Sequence, residues 1–270
     1  MNSGYPSVVD AGTVIADLGD EYEALDRILV AAGDGQWDVQ TPSDGWTVRD
    51  EISHLAFSEE LAGIAATDPD QFASRLQDLL GDLAQAEDLP RQRARDLSAG
   101  QMLDWWRGAR ALTLQALRSH GTRDRIPWVV GDMSVAAFAT ARLMETWAHG
   151  QDIVDALKID RAPTARLRHV AELGVRTRTF SFAIAGRAAP VSDARVALIG
   201  PAGDSWVWGP EHTEDRVSGT ALDFCLVVTQ RRHISDTALV VEGEGAREWM
   251  ARAQAYAGPP GPGRGAGQFS

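Results

Sequence analysis

Apolar residues recur at helical spacing through the first 160 positions. From Thr13 to Ala31, Val14, Leu18, Leu25, Ile28 and Leu29 fall on one side, and Asp17, Asp20, Glu21 and Glu23 fall on the wet side, which predicts a helix ending at Gly33. A Pro-, Gly- and Asp-containing loop over Trp37–Trp46 then leads into Thr47-Val48-Arg49-Asp50, an N-cap followed by an acid in the first turn. The next helix spans Val48 to about Ala66. Ile52, Leu55 and Ala56 form one apolar face of it, and His54, Phe57 and Leu61 another, so His54 is expected to be shielded. Asp68-Pro69 breaks this helix, and Phe72–Leu89 reads as a shorter polar helix or lid-like connection ending at Pro90. Ser98-Ala99-Gly100-Gln101 has capping-box form and opens a helix through Met102, Trp105, Trp106, Ala109, Leu112 and Leu117 to Gly121. Residues 122–132 read as a loop, and a long helix starts near Met133-Ser134 and ends around Lys158. Four amphipathic helices with short connections predict an antiparallel bundle.

The pattern changes after Ala162-Pro163-Thr164. A helix is predicted over Ala165–Ala185, then a hairpin of Val196–Ile199 and Ser205–Trp208 around Gly200–Asp204, a helix over Thr220–Arg231, a strand over Thr237–Glu242 and a last helix over Glu244–Tyr256. The expected fold class is therefore α+β. A four-helix bundle occupies residues 1–160, a small α+β domain residues 161–257, and a Pro/Gly-rich tail without regular structure residues 258–270.

Composition narrows the chemistry. An apolar fraction of 44% with nine Trp supports real cores. The net charge of −12, without a basic cluster, argues against nucleic acid as a partner. The acidity is confined to residues 1–160, with 27 acids and 13 bases, against 11 acids and 13 bases in residues 161–270. No apolar run is long enough to span a bilayer and the N-terminus lacks a signal-peptide pattern, so a cytoplasmic protein without membrane partners, monomeric or homodimeric, is expected. The single cysteine, Cys225, excludes Cys-based metal clusters and sits among apolar neighbours as a buried thiol. A metal must then be held by His and carboxylate.

The stretch Arg142-Leu143-Met144-Glu145-Thr146-Trp147-Ala148-His149-Gly150-Gln151-Asp152 carries such residues. Arg142, Glu145, His149 and Asp152 share one polar stripe on an otherwise apolar helix. Glu145 and His149, at i and i+4, can reach one divalent ion, and His54 from another helix is the best third ligand among the six histidines. Two imidazoles and one carboxylate leave positions open for water or substrate. The plainer alternatives are a solvent-facing Glu–His pair and a hydrogen-bonded core histidine. Asp152 can accept from a ligating imidazole or be a surface acid, and Arg142 can pair with Glu145 or bind an anion. Trp105, Trp106 and Trp128 either line a pocket or pack the core.

Two segments, Gly45-Trp46-Thr47-Val48-Arg49-Asp50-Glu51-Ile52-Ser53-His54 and the Glu145-x-Trp147-Ala148-His149-Gly150-x-Asp152 string, resemble the mycothiol-dependent maleylpyruvate isomerase-like group of the DinB-like metalloproteins. The likeness continues through Pro127-Trp128, Val228–His233 and Ala253–Gly261, nearly the whole chain. It implies a DinB-like bundle in which His54, Glu145 and His149 hold zinc or a similar divalent ion, and a sterol-carrier-like second domain. It also implies mycothiol as the low-molecular-weight thiol co-substrate and an electrophilic small molecule as its target. Mycothiol S-transfer is the first expected activity and maleylpyruvate-type cis–trans isomerisation the second; a metal-dependent hydrolase and a non-enzymatic metal-stabilised carrier are the further alternatives. The isomerases place an arginine in the second domain, for which Arg231 and Arg232 are the candidates as a clamp for a substrate anion. As plain residues, the two read equally well as surface bases at a helix C-terminus.

Overall fold

The computed structural model describes residues 10–259 and 261–269, so expectations for residues 1–9, Pro260 and Ser270 lie outside it. The chain divides into two compact units, one ending at Arg161 and the other beginning at Ala162. The fold class is α+β, a helical unit followed by a sheet unit.

The first unit contains α1 (Ala11–Ala31), α2 (Val48–Thr67), α3 (Pro69–Gly81), α4 (Leu83–Ala94), α5 (Ala99–Ser119), the short strands β1 (Arg125–Ile126) and β2 (Met133–Ser134), and α6 (Val135–Leu157). Helices α1 and α2 each pack on both α5 and α6, closing a four-helix ring whose interior holds Leu18, Leu25, Ile52, Leu55, Trp106 and Leu143. Each long helix starts at a side-chain cap: Asp10, Thr47, Ser98 and Ser134 accept from backbone N–H groups three residues on, and Thr47–Asp50 and Ser98–Gln101 are full capping boxes. Lys158, in the left-handed region at φ 54°, ends α6.

Several expectations are corrected. Glu21 is fully buried, not on the wet side of α1, and its charge is met by Arg161. The connection after α2 is two helices separated at the non-helical Asp82, and α4 continues past Pro90 to Ala94. The missing Pro90 N–H is offset where the last turn of α4 is tied to α2 by Arg93–Glu60 at 2.7 Å and Arg91–Asp50 at 3.7 Å. The loop over 122–132 carries β1, which pairs antiparallel with β2.

The second unit contains α7 (Leu167–Arg176), α8 (Arg178–Ile184), β3 (Arg195–Ile199), β4 (Ser205–Trp208), β5 (Arg216–Thr220), α9 (Ala221–Val228), β6 (Val240–Glu242) and α10 (Glu244–Met250). The helix predicted over 165–185 is divided at Thr177, which sits at φ −86° and ψ 8°, with its hydroxyl donating to Leu173 O and Gly174 O beside the backbone bonds. The sheet order is β4-β3-β5-β6. The predicted hairpin is present as β3 and β4, with Val196 opposite Trp208. β5, which periodicity did not reveal, lies parallel to β3. The predicted strand and the last two helices are shorter than expected: Gln230 adopts φ 60° after α9, a 3-10 turn at Ile234–Asp236 precedes β6, and α10 ends at Met250 with Ala251 as its C-cap. One sheet face is buried through Val196, Leu198, Trp206, Trp208 and Val217.

Two glycines permit close approaches. A Cβ on Gly174 would stand 2.7 Å from Val228, where α7 meets α9, and Gly243, at φ 84°, would bring a Cβ within 2.4 Å of the Asp215 carboxylate. The described tail residues form no helix or strand, and Asp236 accepts from the Gly267 N–H at 2.7 Å. Among the described residues no helix is long and apolar enough to cross a membrane.

Candidate metal centre

Helices α2 and α6 pack side by side, and this brings His54 from the second turn of α2 opposite Glu145 and His149 on α6. The Nε2 atoms of both imidazoles face one carboxylate oxygen: His149 Nε2 is 3.3 Å and His54 Nε2 3.8 Å from Glu145 Oε2. One ligand atom from each of the three lies within 4.8 Å of the others. Ligands of a tetrahedral zinc ion at about 2.0–2.1 Å stand roughly 3.3–3.4 Å apart, so this spacing is close to that of a coordination triangle.

Protonation states agree with the donor set. Burial is the largest influence on His54 and, with the neighbouring His149, holds its pKa below the ordinary value of 6.5, so the ring is a neutral donor. Burial alone would raise Glu145. The His149 and His54 imidazoles and the charge of Arg142 reverse this and hold its carboxyl well below the usual range. The site therefore offers the neutral His54 imidazole, a second imidazole at His149 and one carboxylate, a set of donor types that fits a borderline divalent cation such as zinc.

His149 Nδ1 is 2.6 Å from Glu51 Oε2 on α2. Glu51 is fully buried, and its other oxygen lies 2.8 Å from Thr41 Oγ1, which ties the loop before α2 to the site. A carboxylate accepting from Nδ1–H fixes the ring so that Nε2 faces Glu145. Glu51, His149 and Asp152 also converge within 4.8 Å. The 2.6 Å contact between Glu51 and His149, however, is hydrogen-bond length and shorter than the roughly 3.3 Å that two ligands of one tetrahedral ion require.

Asp152 is buried and accepts from Ser43 Oγ at 3.2 Å. Arg142 pairs with the fully buried Glu59 at 3.1 Å, with its guanidinium 5.5 Å from the Trp128 ring centroid. Trp46 covers the histidines: its ring stacks on His149 at 6.0 Å and tilts against His54 at 5.5 Å. A cavity of about 660 Å³ opens from His54, walled by Trp46, Phe57, Leu61, Trp128 and Arg91. Trp106 is instead buried in the core, and Trp105 lies 4.0 Å beneath the Arg93 guanidinium.

Arg231 and Arg232 belong to the second unit. Their backbone N–H groups both donate to Leu226 O, Arg231 Nη1 donates to Thr229 O at 2.7 Å, and the Arg232 guanidinium lies 3.6 Å over Phe269. Cys225 is buried, its thiol raised well above the ordinary value by burial, and it donates to Leu167 O.

Sequence reasoning missed Glu51 and Glu59. Glu51 lies three residues before His54 and shares its face of α2, but an acid in a first helical turn is already accounted for by the helix dipole. Glu59 carried no spacing signal, and its burial follows from packing beside α6.

The sequence profile of the mycothiol maleylpyruvate isomerase N-terminal domain matches residues 18–154, just over half of the chain. An uncharacterized protein of Mycobacterium tuberculosis, found in strains CDC 1551 / Oshkosh and ATCC 25618 / H37Rv, is 40% identical over 257 residues, covering 95% of this chain and 100% of the relative. Two crystal structures, of the mycothiol-dependent maleylpyruvate isomerase and of a mutant of it, superpose with TM-score 0.57 at 15% and 14% identity, covering 86% of this chain and 93% of theirs. At that identity the superposition speaks for the fold. The profile match and the near-complete alignment with the mycobacterial relatives place the chain in the mycothiol-dependent maleylpyruvate isomerase-like family.

Proposed function

We propose that the protein is a metal-dependent thiol enzyme in which His54, Glu145 and His149 hold a divalent cation, zinc by donor type, and mycothiol is the thiol co-substrate. The observation that carries this is the convergence of the three ligand atoms, with one of the three residues, His54, lining an open cavity. Family membership, and the activity named for the superposed isomerase, support the thiol. A bound divalent cation lowers the pKa of an adjacent thiol and so supplies a thiolate nucleophile at neutral pH.

The chain's own residues prepare that chemistry. Glu51 orients His149, Trp46 packs against both imidazoles, and the cavity holds the electrophile against the site. The thiol proton passes to water and the sulfur lone pair forms an S–C bond. In transfer, the displaced group leaves with the electron pair of its broken bond. In the second reading, which the family name favours, sulfur adds to a conjugated double bond, the resulting single bond rotates, and expulsion of the thiolate restores the alkene in the other geometry.

Metal analysis of the purified protein and of His54→Ala and His149→Ala tests the centre: one equivalent in the wild type and near none in the variants is expected, and equal metal in all three refutes it. Mass spectrometry after incubation with mycothiol and an electrophile separates the outcomes. A conjugate marks transfer, an isomerised product of unchanged mass marks isomerisation, and neither ends the thiol reading.

A further inference from the structure

The cavity beside His54 has a lining that indicates which electrophiles it accepts. Its walls are largely aromatic and aliphatic, from Trp46, Phe57, Leu61, Trp128 and Val129. Trp128 is a fixed surface: it stacks on Phe72 at 5.5 Å with an interplanar angle of 11° and meets Phe138 edge-on at 5.2 Å. Trp46 is held against the two imidazoles on one side of the cavity.

The charges run against an anionic substrate. Among the described lining residues the acids are Asp50 and Asp88 and the one base is Arg91. Arg91 lies 3.7 Å from Asp50 and 5.0 Å from the Trp46 centroid, so its charge is already shared. Arg142, with a side chain 3% exposed, pairs with Glu59 and is not part of the lining. A divalent cation, the Glu145 carboxylate and a thiolate sum to zero, which leaves the wall at −1.

We propose that the cavity selects a neutral, planar electrophile, an aromatic or conjugated skeleton without a carboxylate, with Trp128 as the specificity-determining wall. This rests on the thiol-enzyme reading for its chemistry and for the neutral charge of the loaded site, and on the cavity lining for its selectivity. For an aryl halide the step balances as follows: the mycothiol S–H proton goes to water, the S–C(aryl) bond forms, and chloride leaves with the C–Cl electron pair.

The test uses a matched pair, methyl 4-chloro-3-nitrobenzoate and the free 4-chloro-3-nitrobenzoate. Binding to the full chain is read by tryptophan quenching, with and without zinc, and kcat/KM with mycothiol is divided by the uncatalysed rate constant of each compound. At least tenfold tighter binding of the ester is expected, together with a tenfold or greater preference in normalised kcat/KM. Trp128→Ala should raise the dissociation constant and KM of the ester about tenfold with kcat within twofold, in line with the loss of one aromatic stacking surface. Trp128→Phe, which can keep the Phe72 stack, should show a smaller rise. Equal or tighter binding of the carboxylate overturns the proposal, as does unchanged ester binding in a folded Trp128→Ala variant. If the ester binds selectively but neither compound is conjugated, the selectivity stands and the thiol reading falls.

Discussion

Glu51 offers the most direct test of how the bundle would build the proposed metal centre. Its Oε2 accepts from His149 Nδ1 at 2.6 Å in a fully buried position, and its Oε1 is held by Thr41. Glu51→Gln keeps the size and one acceptor oxygen but removes the charge. A charge-assisted hydrogen bond contributes about 1.5–3 kcal/mol and a neutral one about 0.5–1.5, so the exchange weakens the hold on the imidazole by about 1–1.5 kcal/mol. At about 1.4 kcal/mol per tenfold, zinc affinity should fall roughly 5- to 12-fold, which reaches the lower end of the 10–100-fold range known for such partners. Glu51→Ala removes the acceptor altogether and should cost about 100-fold. Chelator-competition titration with zinc measures both, and urea unfolding of the zinc-free proteins checks that the fold survives. If folded Glu51→Gln and Glu51→Ala bind zinc within twofold of wild type, His149 is not positioned by Glu51 and the account of the site is wrong.

Three further outcomes follow from other parts of the chain. The side-chain hydrogen bond from Arg107, reinforced by Arg110, holds Asp26 below its ordinary pKa of 3.8. Its stabilisation is thus complete above that value and is lost as pH falls through the lower folded one, and urea midpoints of wild type and Asp26→Ala should converge only under strongly acid conditions. At neutral pH Asp26→Ala should cost about 2–3 kcal/mol, below the value for a fully buried pair because Arg107 stays 40% exposed; a loss under 0.5 kcal/mol would contradict the ion-pair assignment. Cys225, with its thiol raised by burial, should resist a disulfide reagent in the folded protein and react on denaturation, and rapid labelling of the native state would contradict the packing. Zinc at 100 times its dissociation constant should stabilise the protein by about 2.7 kcal/mol in thermal unfolding and a chelator should reverse it, whereas a chelator without effect on zinc-loaded protein would argue against a folding-linked site.

The long helices could be read directly because their evidence is local. Capping boxes at Thr47 and Ser98 and apolar spacing over three or more turns announce α2 and α5 within a few residues. Short elements could not. β5 has five residues and takes its identity from pairing with β3, and the division at Thr177 is a small change of backbone angles that leaves the bonds into and out of that residue in place. Pro90 misled for a related reason, since ion pairs to α2 hold a turn that local rules would end.

By itself the sequence determined the α+β class, the cysteine-free donor set and the placement of Glu145 and His149 on one face of α6, because helical periodicity depends only on spacing along the chain. Only the tertiary structure decided that His54 meets them, that Glu51 accepts from His149 Nδ1, that Glu21 is buried against Arg161, and that Arg142 answers to Glu59. Those outcomes depend on which helix faces pack together, and the same acid that reads as solvated in sequence becomes a buried partner once a second helix covers it.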